Sequence, residues 1–152
     1  MTLTLLEAAV DAVNDYIETN MPAKVVDLNT RYSDALPDIK AYYPGEFPQR
    51  VPENPSVCVR GSGFTPKIQR AANMEITYGI DVVIFVGGDD IERRFRMLCR
   101  YTVGLVELLR AAQTAAYHIR LGGQVRMTEA MVTPDFLQGF IIPIAVDSAE
   151  TY

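Results

Sequence analysis

Residues 74–86 read Met74-Glu-Ile-Thr-Tyr-Gly-Ile-Asp-Val-Val-Ile-Phe-Val86, and Gly87-Gly-Asp-Asp90 follows them. Met74, Ile76, Tyr78, Ile80, Val82, Ile84 and Val86 occupy every second position. That is the period of a β-strand, whose side chains point alternately to its two faces. The opposite face, Glu75, Thr77, Gly79, Asp81, Val83 and Phe85, begins polar and ends apolar. The strand therefore starts half exposed and ends in the interior. The glycines break it, and an aspartate oxygen there can accept from the free N–H groups of a first helical turn.

A helix is expected over 89–113. Ile91, Phe95, Leu98, Thr102, Leu105, Val106 and Leu109 form its inner stripe, with Met97, Tyr101, Gly104 and Leu108 beside it. So wide an apolar face means either a helix sandwiched inside the domain or a second stripe offered to another subunit. Asp89–Arg93, Asp90–Arg94 and Glu92–Arg96 are acid-before-base pairs four residues apart, each worth about 0.2–0.5 kcal/mol.

Upstream, Ser56-Val-Cys-Val-Arg60 is a short strand, Gly61-Ser-Gly63 breaks it, and 64–72 is a loop holding Pro66, Lys67 and Arg70. With the long strand it makes an antiparallel hairpin over 56–86. Residues 3–20 form an amphipathic helix with Leu3, Leu6, Val10, Val13 and Ile17 on one side, and Met21-Pro22 stops it. Val25-Val26 is a short apolar patch that fits an edge strand. Residues 27–55 carry Pro37, Pro44, Pro48, Pro52 and Pro55 among Tyr32, Tyr42, Tyr43 and Phe47. Prolines remove ladder donors, whereas aromatics favour burial, so this reads as an extended arm packed on the domain or on a neighbour.

Downstream, 114–124 holds Tyr117, His118, Ile119 and Leu121 before a Gly122-Gly123 turn. Strands at 125–132 and 140–146 close the chain, with Pro143 marking an edge strand or a bulge, and 147–152 is a loose tail. The fold class is α+β, in one domain spanning 1–152. Its sheet is mostly antiparallel and four-stranded, with two helices on one face, a long hairpin and the Pro/Tyr-rich arm. No internal repeat is visible.

The chain has 152 residues, 49% of them apolar, which suffices for one core. No apolar run approaches a membrane span, and the first residues do not read as a signal peptide. The net charge of −5 argues against nonspecific nucleic-acid binding over the whole surface. That charge is segregated: nine acids and four bases in 1–55, six and ten in 56–126, four and none in 127–152. A solvated surface explains this plainly. The sharper reading is that acidic and basic faces of identical subunits meet, as in head-to-tail contacts that close into rings.

Catalysis finds little support, and no enzyme, metal or cofactor is expected. His118 is the single histidine, no serine sits in a Gly-x-Ser-x-Gly elbow, and Cys58 and Cys99 read as small core residues. Glu7, Asp11, Asp15 and Glu18 read as a solvated helix face rather than a cation site. Arg60-Gly-Ser-Gly-Phe64 lacks the Gly-Lys-Ser/Thr ending and following helix of a phosphate-cradling loop. Arg93, Arg94, Arg96 and Arg100 form a basic patch, three of whose members have acid partners. What remains is architecture without chemistry, which is the property of an assembly subunit.

Several stretches carry a resemblance. The opening helix and the segment Tyr42-Tyr-Pro-Gly-Glu-Phe-Pro48…Val51-Pro-Glu-Asn-Pro-Ser-Val-Cys-Val59 resemble the tail terminator proteins of tailed bacteriophages. So do the long strand running into Gly-Gly-Asp-Asp, the Arg-rich helix ending Leu105-Val-Glu-Leu-Leu109, and the closing strands. The resemblance implies a virion protein forming a six-subunit ring on the head-proximal end of the tail tube. Such a ring stops tube polymerisation and presents a surface to head-completion and neck proteins. Genome DNA passes through its lumen without specific binding. No catalytic residue, cofactor or membrane contact carries over. The expected subunit or partner contacts are the 64–72 tip with Phe64, Lys67 and Arg70, the 42–52 arm with Tyr42 and Phe47, and the stripe Met97, Tyr101 and Leu108. Charged residues at 101 and 108 should then abolish the ring and leave a folded monomer. The alternatives are another neck component, such as a head-completion or adaptor protein, and a dimeric small-molecule-binding α+β module.

Overall fold

The computed structural model describes residues 6–45, 53–70, 73–112, 118–132 and 135–151. Its elements are α1 (Leu6–Tyr32), β1 (Ala41–Pro44), β2 (Ser56–Arg70), β3 (Asn73–Gly87), α2 (Ile91–Ala111), β4 (His118–Leu121), β5 (Arg126–Val132) and β6 (Asp135–Thr151). The α+β class is as expected, but the sheet is mixed and has six strands. β1 runs parallel to β2, and β2–β3 and β3–β6 are antiparallel. β4 and β5 both pair with the far side of β6.

α1 overruns its expected end at residue 20 by twelve positions. The buried stripe Val13, Ile17, Met21, Val25 and Leu28 keeps the three- and four-residue spacing straight through Pro22. Pro22 itself is exposed, so the carbonyl deprived of its N–H donor faces water. Burial of the stripe outweighs the local penalty, and Val25-Val26 are helical rather than an edge strand. The helix stops at Ser33, whose φ of 51° is left-handed. The Asp34 N–H then donates back to the Asn29 carbonyl at 3.0 Å, closing the last turn. Asn29 also bridges to Leu36, accepting from its N–H at 2.6 Å and donating to its carbonyl at 3.0 Å.

The expected arm is thus several things. Residues 27–32 belong to α1, 34–40 are irregular, and 41–44 are β1. The Lys40 N–H donates to the Pro55 carbonyl at 2.9 Å, which sets β1 alongside β2. Positions 46–52, Phe47 included, lie outside the described residues.

β3 follows its reading closely. Ile76, Tyr78, Ile80, Val82, Ile84 and Val86 enter the main core, and Val83 and Phe85 enter a smaller one on the opposite face. Its partner is longer than expected. β2 runs unbroken to Arg70, so 64–70 is strand rather than loop, with register shifts at Gly61/Gly63 and Ile68/Arg70. The glycines mark a bulge that keeps the ladder in step instead of ending it.

β6 is neither short nor at the margin. It begins at Asp135 and continues through Asp147 to Thr151, where a loose tail was expected. Pro143 is tolerated in this interior strand for a local reason. β5 pairs with β6 as far as Ile141, and β4 begins pairing at Ile144. Pro143 lies in the gap, where its carbonyl accepts from the Gly122 N–H at 2.8 Å. Its missing N–H points to the same side, where no ladder partner needs it.

Both helices pack on one face of the sheet. Val57, Val59, Ile80, Val82, Ile84, Ile142 and Ile144 meet Val13, Ile17, Met21 and Leu28 of α1 and Leu98, Leu105 and Leu109 of α2. On the other face Cys58, Val83, Phe85, Leu137 and Ile141 cluster with Tyr43. The Gly87 N–H donates to Asn54 Oδ1 at 3.3 Å beside them.

Candidate functional site

α2 starts where expected. Asp90 caps it by accepting from the Arg93 N–H at 3.1 Å. Of the three expected ion pairs, Glu92–Arg96 forms at 2.8 Å. Arg93 instead reaches Asp34 at 2.8 Å, and Arg100 binds the same carboxylate. Arg94 is buried and donates to the Gly88 carbonyl at 2.7 Å. The basic patch is therefore largely spent on holding α2 in place.

Asp34 is the pivot of that arrangement. Burial alone would raise its pKa, but the Ala35 N–H and the Arg100 and Arg93 guanidiniums outweigh it and hold the carboxyl below its ordinary value. A second knot ties the other end of α2 to the C-terminal half of α1. Glu107 accepts from Arg31 at 2.6 Å and from Lys24 at 3.0 Å. Those bonds, Arg31 first, hold its carboxyl down at about 2.

The expected contact stripe of α2 faces inward. Tyr101 is fully buried, its hydroxyl donating to the Pro37 carbonyl, and Leu108 is buried. Met97 is half-buried against the same core. Gly104 lies so close to α1 that a Cβ there would stand 2.7 Å from Leu28 Cδ1. That side of α2 therefore packs inside the domain, and Tyr101 and Leu108 are core residues, not an exposed subunit contact. Charge at those two positions attacks the fold itself.

The remaining expected contacts separate. Tyr42 is half-buried on β1 against the main core, where burial, with Glu18 and Asp38 nearby, pushes its hydroxyl up to about 12. Phe64 is 59% exposed on β2, its ring 6.3 Å from that of Tyr78. Lys67 and Arg70 lie further along the same strand. Phe64, Lys67 and Arg70 share β2, while Tyr42 lies on the neighbouring strand β1, opposite Val57.

Cys58 and His118 are not brought together. Cys58 is buried on β2, with its thiol pushed up to about 11 by desolvation, whereas His118 is exposed on β4 beyond β3 and β6. Among the described residues no group of three or more His, Cys, Asp or Glu is placed to hold a metal ion. No described helix is long and apolar enough to cross a membrane. Arg60-Gly-Ser-Gly-Phe64 is bulged strand, not a phosphate loop.

Two features escaped the sequence. One is an open cleft of about 880 Å³ where β1 ends, bounded by Leu6, Glu7, Val10 and Asp11 of α1 and by Pro44, Gly45, Arg60 and Ser62. Arg60 within it is engaged by Asp81 at 3.6 Å. The other is a set of exposed apolar side chains: Ile91 at 70%, Phe95 at 46% and Met127 at 46%. Ile91 and Phe95 were expected inside. They stand on the flank of α2 away from α1, and α2 packs over β3, β6 and β4, leaving that flank open.

A scan against protein-family models finds no match, and a search of curated proteins finds none either.

Proposed function

We propose that this chain is a structural virion protein, a tail terminator whose ring caps the tail tube and joins it to the head and neck. The observation that carries the reading is the order of elements. A long opening helix, a long hairpin running into Gly-Gly-Asp-Asp, an Arg-rich helix and closing antiparallel strands resemble the pattern of that family. Support also comes from how the polar groups are used. The charged knots around Asp34 and Glu107 brace the two helices, and large apolar side chains remain for contacts outside the protomer.

The test is native mass spectrometry of the full chain, alone and mixed with the tail-tube protein encoded in the same genome. A sixfold ring, free or only on the tube, is the expected result. A monomer that ignores the tube and binds a portal-side protein moves the assignment to another neck component. The cleft beside Arg60 favours a second reading, a small-molecule-binding module. A stable dimer whose melting temperature rises with a small ligand, and which ignores the tube, supports that reading instead.

A further inference from the structure

We infer that the cleft where β1 ends is a docking site for a short, extended, basic segment of a partner protein. The segment takes up the line of β1 along β2 and turns its lysine or arginine side chains toward α1. This site does not depend on the ring reading above.

A strand margin forms the floor. β1 pairs with β2 only over Ser56–Val59, and the Gly45 N–H closes that pairing on the Val59 carbonyl at 2.7 Å. Beyond it β2 has no strand partner on that side among the described residues, and Gly61 and Ser62 are exposed. An open margin is a template for an incoming extended chain. Its walls are already in place. Leu6 of α1 lies so close over Gly61 that a Cβ there would stand 2.5 Å from Leu6 Cδ2. Ser62 leans the other way, its Oγ 2.6 Å from where a Cβ on Gly79 would be. The open space between α1, the end of β1 and this margin is about 880 Å³. The register shift between Gly61 and Gly63 interrupts the regular margin, so the segment it accepts is short, about three residues at roughly 3.3 Å each.

The charged side chains bordering the cleft are Glu7, Asp11, Asp81 and Arg60, three carboxylates against one guanidinium. Arg60 is engaged by Asp81 at 3.6 Å, so the uncompensated charge is that of Glu7 and Asp11. These two stand one turn apart on α1 and project from one side of it, beside the apolar wall of Leu6 and Val10. A lysine or arginine suits that wall, its stem on the apolar groups and its charged head at the carboxylates. Successive side chains of an extended segment point to opposite faces. Arg60 and Asp81 pair across the ladder on the face away from α1, in line with Cys58 and Val83 of the smaller core. Side chains pointing that way meet a compensated pair, so the bases of the segment belong at the alternate positions facing α1. A compact ligand would leave the margin of β2 unpaired, and among the described residues no group of three or more His, Cys, Asp or Glu is placed to hold a metal ion.

The test is fluorescence anisotropy of a labelled Val-Arg-Val-Arg-Val peptide titrated with the full chain, followed by hydrogen exchange of the complex. The expected result is saturable binding that the Val-Gln-Val-Gln-Val counterpart lacks, with slowed exchange of the amides at 60–63. Glu7→Gln/Asp11→Asn should weaken binding about tenfold. Asp15→Asn/Glu18→Gln changes the net charge equally on the same helix but lies outside the cleft, and should leave binding unchanged. All four positions are exposed, and circular dichroism melts verify that both variants fold. No saturation by about 1 mM peptide, an equal loss in both double variants, or unslowed exchange at 60–63 overturns the site. Free arginine that competes as well as the peptide overturns the extended segment as its occupant. None of these results bears on ring formation, which the mass spectrometry above decides.

Discussion

Replacing Tyr101 tests whether the second stripe of α2 belongs to the core. The side chain has no accessible surface, and its hydroxyl donates to the Pro37 carbonyl in the segment that leaves α1. Tyr101→Phe keeps the ring and removes that hydrogen bond, which costs about 0.5–1.5 kcal/mol. For a domain of this size that lowers the melting temperature by roughly 1–6 °C. Tyr101→Ala adds a cavity the size of the ring, and large-to-small changes of that kind cost about 3–5 kcal/mol. Native stabilities are only about 5–15 kcal/mol, so much of the folded population is at stake. Tyr101→Asp buries an unpaired charge in place of the ring and should not fold. The chain has no tryptophan, so urea unfolding is followed by far-ultraviolet circular dichroism. Two protein concentrations separate folding from assembly. A Tyr101→Asp chain with the urea midpoint of the unaltered protein, defective only in assembly, would refute the reasoning and return the stripe to the surface.

Three further outcomes follow from the same contacts. Pro22→Ala restores a backbone donor in the exposed middle of α1, and should raise stability by about 1–3 kcal/mol in the same urea assay. Glu107 titrates at about 2 in the folded chain against an ordinary 4.5, so the unfolded chain binds more protons between those values. The stability it contributes is complete above the ordinary range and is lost as pH falls from about 5 toward 2. Glu107→Gln should flatten that part of the stability–pH curve. Cys58 is fully buried and Cys99 half-buried, and both thiols are pushed up by desolvation. Thiol labelling at neutral pH should therefore modify Cys99 first and reach Cys58 only in denaturant.

The parts of the fold legible in the sequence are those where burial alternates strongly over a long run. β3 and α2 qualify, because Ile80, Val82 and Ile84, or Leu98, Leu105 and Leu109, recur often enough to define a face. β1 and β4 have four residues each, too short for any period to emerge. Pro22 and Pro143 misled for different reasons: at Pro22 the buried stripe of α1 outweighs the lost donor, and at Pro143 no ladder partner needs one. The polar run Asp147, Ser148 and Glu150 reads as tail, yet it is held in β6 by the ladder with β3. In the candidate site Phe64 was legible as an aromatic beyond a glycine break. Ile91 and Phe95 were not, since helical spacing places them with Leu98, and only the extent of sheet beneath α2 decides which turns are covered.

The placement of β6 bears on how the chain can be made. It follows all five other strands in sequence, yet it sits between β3 on one side and β4 and β5 on the other. During synthesis β3 emerges long before its neighbour, so fifteen residues of open strand edge wait for residues 135–151 to leave the ribosome. Until then the nascent chain offers that edge to other nascent chains from the same messenger, a hazard that grows with expression rate. Cooling or slower translation should therefore improve soluble yield more than any change in the finished surface. A stop codon that removes even the last part of β6 should yield aggregate rather than a shortened fold.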